Sequence, residues 1–260
     1  MANPPVIRPL GRPQTVRPLI YDVEVAGRRQ EILDAALDLA DEKGLEAVSM
    51  RAVAERAGVT AMALYPHIGS KAELLDGMVE RLLIELVPPA AAAAESADAE
   101  PGPASGTAPA ADADGGDWRV RLRALAHAFR KLAHGHPWAA TLIFSRPSVT
   151  PDAARVVDLV YTNLLAAGVP PSEVPRVERL VSTYMIGYVA SEVGGRFVSG
   201  GLNPRARHGL VAAGREGTLP GHAALARWLE PRVDWDAEFE ADLDDLMRLI
   251  EAAAAKGSQP

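Results

Sequence analysis

Residues 51–71, RAVAERAGVTAMALYPHIGSK, fit a helix, a glycine corner and a second, very short helix into one run. The charged side chains here are Arg51, Glu55, Arg56 and Lys71, a local excess of two positives in a 260-residue chain of formal net charge −7. A helix-turn-helix corner needs a small residue in its first helix, a glycine at the turn and apolar residues on both inner faces. Ala54, Gly58, Val59 and Leu64 supply these in that order. The outer face of the second helix would then project into a DNA major groove, where base edges carry sequence. A plain bundle of three short helices has the same spacing. The stretch alone leaves both readings open.

The flanking elements must hold that corner. A first helix is expected over about 28–43, with Ile32, Ala35, Ala36, Leu39 and Ala40 on one face, ended by Gly44. Ser49 can cap a helix over about 50–56, and Thr60 one over about 61–67. Ser70 with Glu73 forms a capping box for a fourth helix, about 71–87, which Pro88-Pro89 stops. Residues 1–27 carry five prolines and read as a disordered arm. Its Arg8, Arg12 and Arg17 suit phosphates or a minor groove, but a solvated tail is the better reading.

Residues 88–117 hold six acids and no base among alanine, proline and glycine. Such a segment cannot bury enough apolar surface to offset its ordering entropy, so a flexible linker is expected. From 118 to 260 the pattern is helical. A helix capped by Asp117 and stopped by Pro137 is followed by helices over about 138–145, 151–167, 172–197, 221–229 and 234–255, with 199–219 mostly loop. No run alternates in the manner of a strand, and the fold class is all-α.

Composition excludes several functions. The chain has no cysteine, so it has no disulfide or thiolate metal site, which fits a reducing cytoplasm. No apolar run reaches membrane-spanning length, and the N-terminus lacks a signal peptide's apolar segment. No HExxH, GxSxG or phosphate-binding loop is present, so no catalytic residue is expected. Residues 1–87 carry 10 bases against 13 acids. That balance alone argues against nucleic acid. What matters is the face presented, and Glu31, Asp34, Asp38 and Asp41 can point away from it.

The stretch from about Arg29 to Leu83 resembles the DNA-binding domain of the TetR family of transcriptional regulators. ILDAALDLADEKGLEAVSM, then AERAGVT, then LYPHIGSKAELL carry the likeness in order and spacing. The C-terminal half resembles a Tet-repressor-type effector domain, on WRVRLRALAHAFRKLAHGHPWAATLIFSRP, a helix ending in AAG, YMIGYVASEV and a final acidic helix. The resemblance implies that the chain binds double-stranded operator DNA. It implies phosphate contacts for Tyr65, His67 and Lys71, with Thr60 beside them; Lys71 opens a helix, whose N-terminal amides also favour phosphate. Arg51 would reach a phosphate or a guanine edge. Ala61, Met62, Ala63 and Pro66 would face bases. These four include no Gln, Asn, Arg or Lys, so methyl contacts to thymine, Arg51 and DNA shape would carry sequence. Pro66 stands where the family usually has a larger or polar residue. The competing reading of Met62 is core filler.

The same resemblance implies that the C-terminal helices bind a small-molecule effector and form a homodimer, the long helix over 172–197 and the last helix making the interface. A two-fold dimer reads two half-sites. The effector pocket should be apolar with a few polar groups, and His127, Trp138, Phe144, Tyr161, Tyr184, Tyr188 and Glu192 are its candidate lining. Ordinary core packing is the competing reading for each. Tyr184 and Tyr188, four apart, share a helix face. His127, His134 and His136 lie close, but HGHPW reads as a helix end; no metal or other cofactor is expected, and tetracycline is not implied. The resulting expectation is a cytoplasmic, ligand-responsive repressor in which effector and palindromic operator compete through one conformational equilibrium. An activator, or an enzyme-like all-α ligand-binding protein without operator binding, is the alternative.

Overall fold

The computed structural model describes residues 20–87, 117–146, 150–197, 219–229 and 233–257. The arm over 1–19, the linker over 88–116 and nearly all of the 199–219 loop lie outside the described residues. The described residues form helices: α1 Ile20–Lys43, α2 Met50–Arg56, α3 Ala61–Leu64, α4 Lys71–Ile84, α5 Trp118–Gly135, α6 Ala139–Ser145, α7 Pro151–Ala166, α8 Val174–Val193, α9 Pro220–Leu229 and α10 Trp235–Gly257. A 3₁₀ turn at Leu45–Ala47 links α1 to α2. The fold is all-α.

Several helix ends differ from expectation. α1 starts at Ile20, so residues 20–27 are helical rather than part of an arm. Pro18 is the last proline before them, and nothing beyond it removes a helical N–H. α3 stops at Leu64 because Pro66 has no N–H to continue the ladder. The chain turns there, with the N–H groups of His67 and Ile68 both donating to the Leu64 carbonyl at 2.9 and 2.8 Å. α4 ends at Ile84, three residues early. α8 is shorter at both ends than 172–197; Gly194 caps it and Gly195, at φ 76°, turns the chain away.

α1 buries Ile32, Ala36, Leu39 and Ala40 as its periodicity predicts, with Ala35 half-buried. Leu33 and Leu37 are buried too, because α1 packs against both α2 and α4 and needs a wider apolar stripe. The α1–α4 approach depends on Gly77. A Cβ there would stand 2.7 Å from Cδ2 of the buried Leu33. Gly77→Val should therefore lower the urea unfolding midpoint, by about 1–3 kcal/mol of stability; an unchanged midpoint would show that α4 can move off α1 freely.

α4 belongs to both ends of the molecule. It packs on α1 and also on α6 and α7, while α5 and α7 pack on α8, and α8 contacts α10. Two polar fasteners join the helices up to α4 to those beyond it. Asp41 Oδ1 accepts from Trp138 Nε1 at 2.7 Å and lies 2.7 Å from His136 Nδ1. Arg146 donates from Nε to Asp76 at 2.6 Å and from a terminal nitrogen to the Ala72 carbonyl at 2.9 Å.

Candidate nucleic-acid interface and effector cavity

The corner forms as its residues demand. Ser49 Oγ accepts from the Ala52 N–H at 3.2 Å and starts α2. Gly58 takes φ 68°, a backbone region that a side chain disfavours. The Val59 N–H then returns to the Ala54 carbonyl at 2.9 Å. Ala54 and Leu64 are buried between the helices and Val59 is half-buried. Thr60 stands at the α3 N-cap, but its side chain makes no capping bond, contrary to expectation. The Ser70 box forms with a shift. Ser70 Oγ accepts from the Glu73 N–H at 3.2 Å, while the Glu73 carboxylate reaches back one residue further, to the Gly69 N–H at 3.2 Å.

The face opposite the buried side is open. Met62 is 76% exposed, which overturns the core-filler reading. Arg51, Thr60, Ala63, Tyr65, Pro66 and Lys71 are exposed, and Ala61 and His67 are half-buried. Nδ1 of His67 is buried with no hydrogen-bond partner in the structure. The acids of α1 are occupied elsewhere: Glu31 pairs with Arg28, Asp34 with Arg81, and Asp38 with Arg56. Arg56, one of the positives in the opening run, is held by Glu42 in two bonds of 2.7 and 2.5 Å. The hydrogen bond from Arg56 keeps the Glu42 carboxyl below its ordinary range, so both remain charged and mutually satisfied. Among the described residues, Arg51 and Lys71 are the cations of this face that make no ion pair.

A cavity of about 280 Å³ lies among α4, α5, α6, α7, α8 and α10. Its wall is leucine, isoleucine, valine, methionine, Ala126 and Phe129, with Arg146, Glu178 and Ser182 as its polar members. None of the seven residues expected to line a pocket is on that wall. Trp138 precedes α6 and is tied to Asp41. Phe144 points outward at 63% exposure. Tyr161 is half-buried against the core. Tyr184 is half-buried beside Tyr188, ring centroids 6.1 Å apart. Burial pushes the Tyr188 phenol up to about 12, keeping it neutral, and its hydroxyl donates to the Trp235 carbonyl at 3.3 Å.

His127 and Glu192 line a different feature, a polar cleft at the start of α10 shared with Arg130, His134 and Asp236. His127 Nε2 is 2.9 Å from Glu240. Arg130 grips Glu192 through Nε at 2.9 Å, reaches Asp236 at 2.7 Å and lies over the Phe239 ring at 4.6 Å. Burial raises the Glu192 pKa, but the hydrogen bond and charge of Arg130, with His134 at 3.2 Å, outweigh it and hold the carboxyl below its ordinary value. Among the described residues, no group of three or more His, Cys, Asp and Glu is placed to hold a metal ion. No described helix is long and apolar enough to cross a membrane.

An all-helical chain with a short exposed helix set on a glycine corner, and a ligand-sized cavity among its remaining helices, has the build of a helix-turn-helix regulator. Residues 32–78 match the family of bacterial regulatory proteins called tetR, and residues 109–253 match the tetracyclin repressor-like C-terminal domain. The chain belongs to the TetR family and is a transcriptional regulator, not an enzyme. It is 29% identical over 228 residues to an HTH-type transcriptional regulator of Saccharopolyspora erythraea, covering 87% of this chain and 85% of that one. Over 162 residues it is 30% identical to the HTH-type transcriptional repressor DrrR1 of Streptomyces coeruleorubidus, covering 62% of this chain and 52% of that one. Apo ActR of Streptomyces coelicolor shares the fold, with a TM-score of 0.67 over 88% of this chain and 97% of that one, at 21% identity.

Proposed function

We propose that this chain is a homodimeric cytoplasmic repressor that holds a two-fold symmetric operator and releases it when a small molecule fills the cavity. The observation that carries the reading is the two-sidedness of α3: Leu64 is fully buried while Met62, two residues earlier, is 76% exposed, and the exposed Arg51 and Lys71 on the flanking helices make no ion pair among the described residues. Met62, with Ala61, Ala63 and Pro66, faces base edges and favours thymine methyl groups. Tyr65, Lys71 and Thr60 hold phosphates, and His67 does so through Nε2, its other nitrogen being buried. Arg51 takes a phosphate or a guanine edge. Relatives named as repressors support the direction of control, and ActR has been solved in complex with actinorhodin.

The dimer forms through α8 and α10. Leu180, Thr183 and Gly187 of α8 are exposed at spacings of three and four, a continuous stripe on a helix. Arg146 links effector to operator. It stands on the cavity wall and also holds Asp76 and Ala72 in the first turns of α4, close to Lys71. A ligand that displaces Arg146 loosens α4 and with it the spacing of the two α3 helices.

Fluorescence anisotropy of the full chain on duplex DNA over a salt series tests the interface. Lys71→Ala should flatten the slope of log affinity against log salt by about 0.9 for each phosphate that the variant no longer neutralises. Identical slopes for the two proteins would remove Lys71, and the face around it, from the DNA interface.

A further inference from the structure

The cavity wall carries a charge that the protein does not answer. Glu178 lines it from α8, and the Ser182 hydroxyl, one turn on, donates to Glu178 Oε1 at 2.6 Å. Among the described residues, no basic side chain stands within ion-pair distance of Glu178. The other ionised group on the wall, Arg146, is already satisfied by Asp76 and the Ala72 carbonyl. What remains is hydrocarbon: Leu, Ile, Val and Met side chains with Ala126 and the ring of Phe129.

Glu178 is half-buried at the cavity, and filling the cavity with hydrocarbon removes water from its carboxylate. A neutral ligand therefore pays for stripping Glu178 of water, and an anionic one adds like-charge repulsion. A cation placed against Oε2, the oxygen that Ser182 leaves free, turns the same charge into attraction. At about 280 Å³ the space suits a compact ligand of one or two rings, near the lower end of ligand sites at about 300 Å³.

We propose that the effector of this cavity is a compact lipophilic cation, its ammonium or amidinium head on Glu178 and its apolar body among Phe129, Met185 and Leu243. The inference rests on the reading of the cavity as the effector site. Ser182 fixes the rotamer of Glu178, so the head group meets a preorganised acceptor.

Isothermal titration calorimetry on the full chain separates the two ideas. The probes are 3-phenylpropylammonium, the neutral hydrocarbon in which carbon replaces its nitrogen, and 4-phenylbutanoate. The cation should bind about tenfold or more tighter than its neutral twin, and phenylbutanoate more weakly than both. Glu178→Gln should erase the preference for the cation and leave the neutral ligand's affinity unimproved by more than a few fold, while Ala126→Leu, which fills part of the cavity, should weaken both. Equal binding of cation and neutral twin, a preference that survives Glu178→Gln, or affinities untouched by Ala126→Leu would overturn the proposal. In the first two cases, binding still weakened by Ala126→Leu would leave the cavity standing as an effector site. Failure of all three probes to bind would overturn the inference and the reading of the cavity together.

Discussion

Met62→Glu should leave the fold intact and abolish operator binding. The side chain is 76% exposed, and exposed substitutions away from caps and networks usually change stability by no more than about 0.5 kcal/mol. Glutamate and methionine have similar helix propensities, and an acid in a first turn is if anything favoured by the helix dipole. Against DNA the same change sets a carboxylate among base edges and phosphates. Like-charge juxtaposition at an interface costs several kcal/mol, so operator affinity should fall by about a hundredfold or more. Circular-dichroism melting and anisotropy on one preparation check both halves. A large drop in melting temperature would return Met62 to the core, and unchanged affinity would move the DNA interface off α3.

Arg130→Ala should destabilise the C-terminal helices strongly, costing about 3–5 kcal/mol. The Glu192 side chain is only 7% exposed. Without Arg130 it is a buried carboxylate with His134 as its remaining partner, and Phe239 loses the guanidinium over its ring. Pairing the change with Glu192→Gln should recover much of the loss, because the stranded charge is gone. The pH dependence follows from the direction of the shift. In the parent, Glu192 titrates below its ordinary 4.5. Its contribution is therefore present above that value and is lost as pH falls through the depressed one. In Arg130→Ala burial dominates and the shift reverses, so the deficit should be largest near neutral pH and shrink towards pH 4. Urea midpoints of the two proteins across that range give the answer. A deficit that ignores pH would mean that Arg130 acts through packing on Phe239 rather than through charge.

The corner is legible in the sequence because each of its demands is local. Gly58 at positive φ, Ser49 as a cap and Leu64 on the inner face need only near neighbours to be recognised. The partner of Arg56 is not: Glu42 lies 14 residues away and only the packing of α1 on α2 brings them together. Residues 20–27 read as arm because they follow a proline-rich run, yet that run stops at Pro18 and α1 begins two residues later. The cavity wall is the least legible part. Aromatic residues invite assignment to a pocket, yet here the rings satisfy one another, Phe197 stacked on Trp235 at 4.5 Å and Tyr188 beside Phe239 at 5.3 Å. An aliphatic wall repeats with the same period as a filled core, and a void arises where partner atoms are missing, which no single residue type records. The signal present in the sequence is Glu178 and Ser182, two polar residues four apart on a helix that also carries Val181 and Met185 to the cavity.

On the proposed reading, α3 and its flanking cations recognise a two-fold symmetric DNA sequence. In vitro selection from a random duplex pool, run with the full chain and with Arg51→Ala/Lys71→Ala, decides whether they do. The parent should enrich a motif of two inverted half-sites, their centres one helical turn, about 34–36 Å, or a multiple of it apart, and the double variant should lose that enrichment. An empty selection, an asymmetric single half-site, or the same motif enriched equally by the variant would contradict that reading.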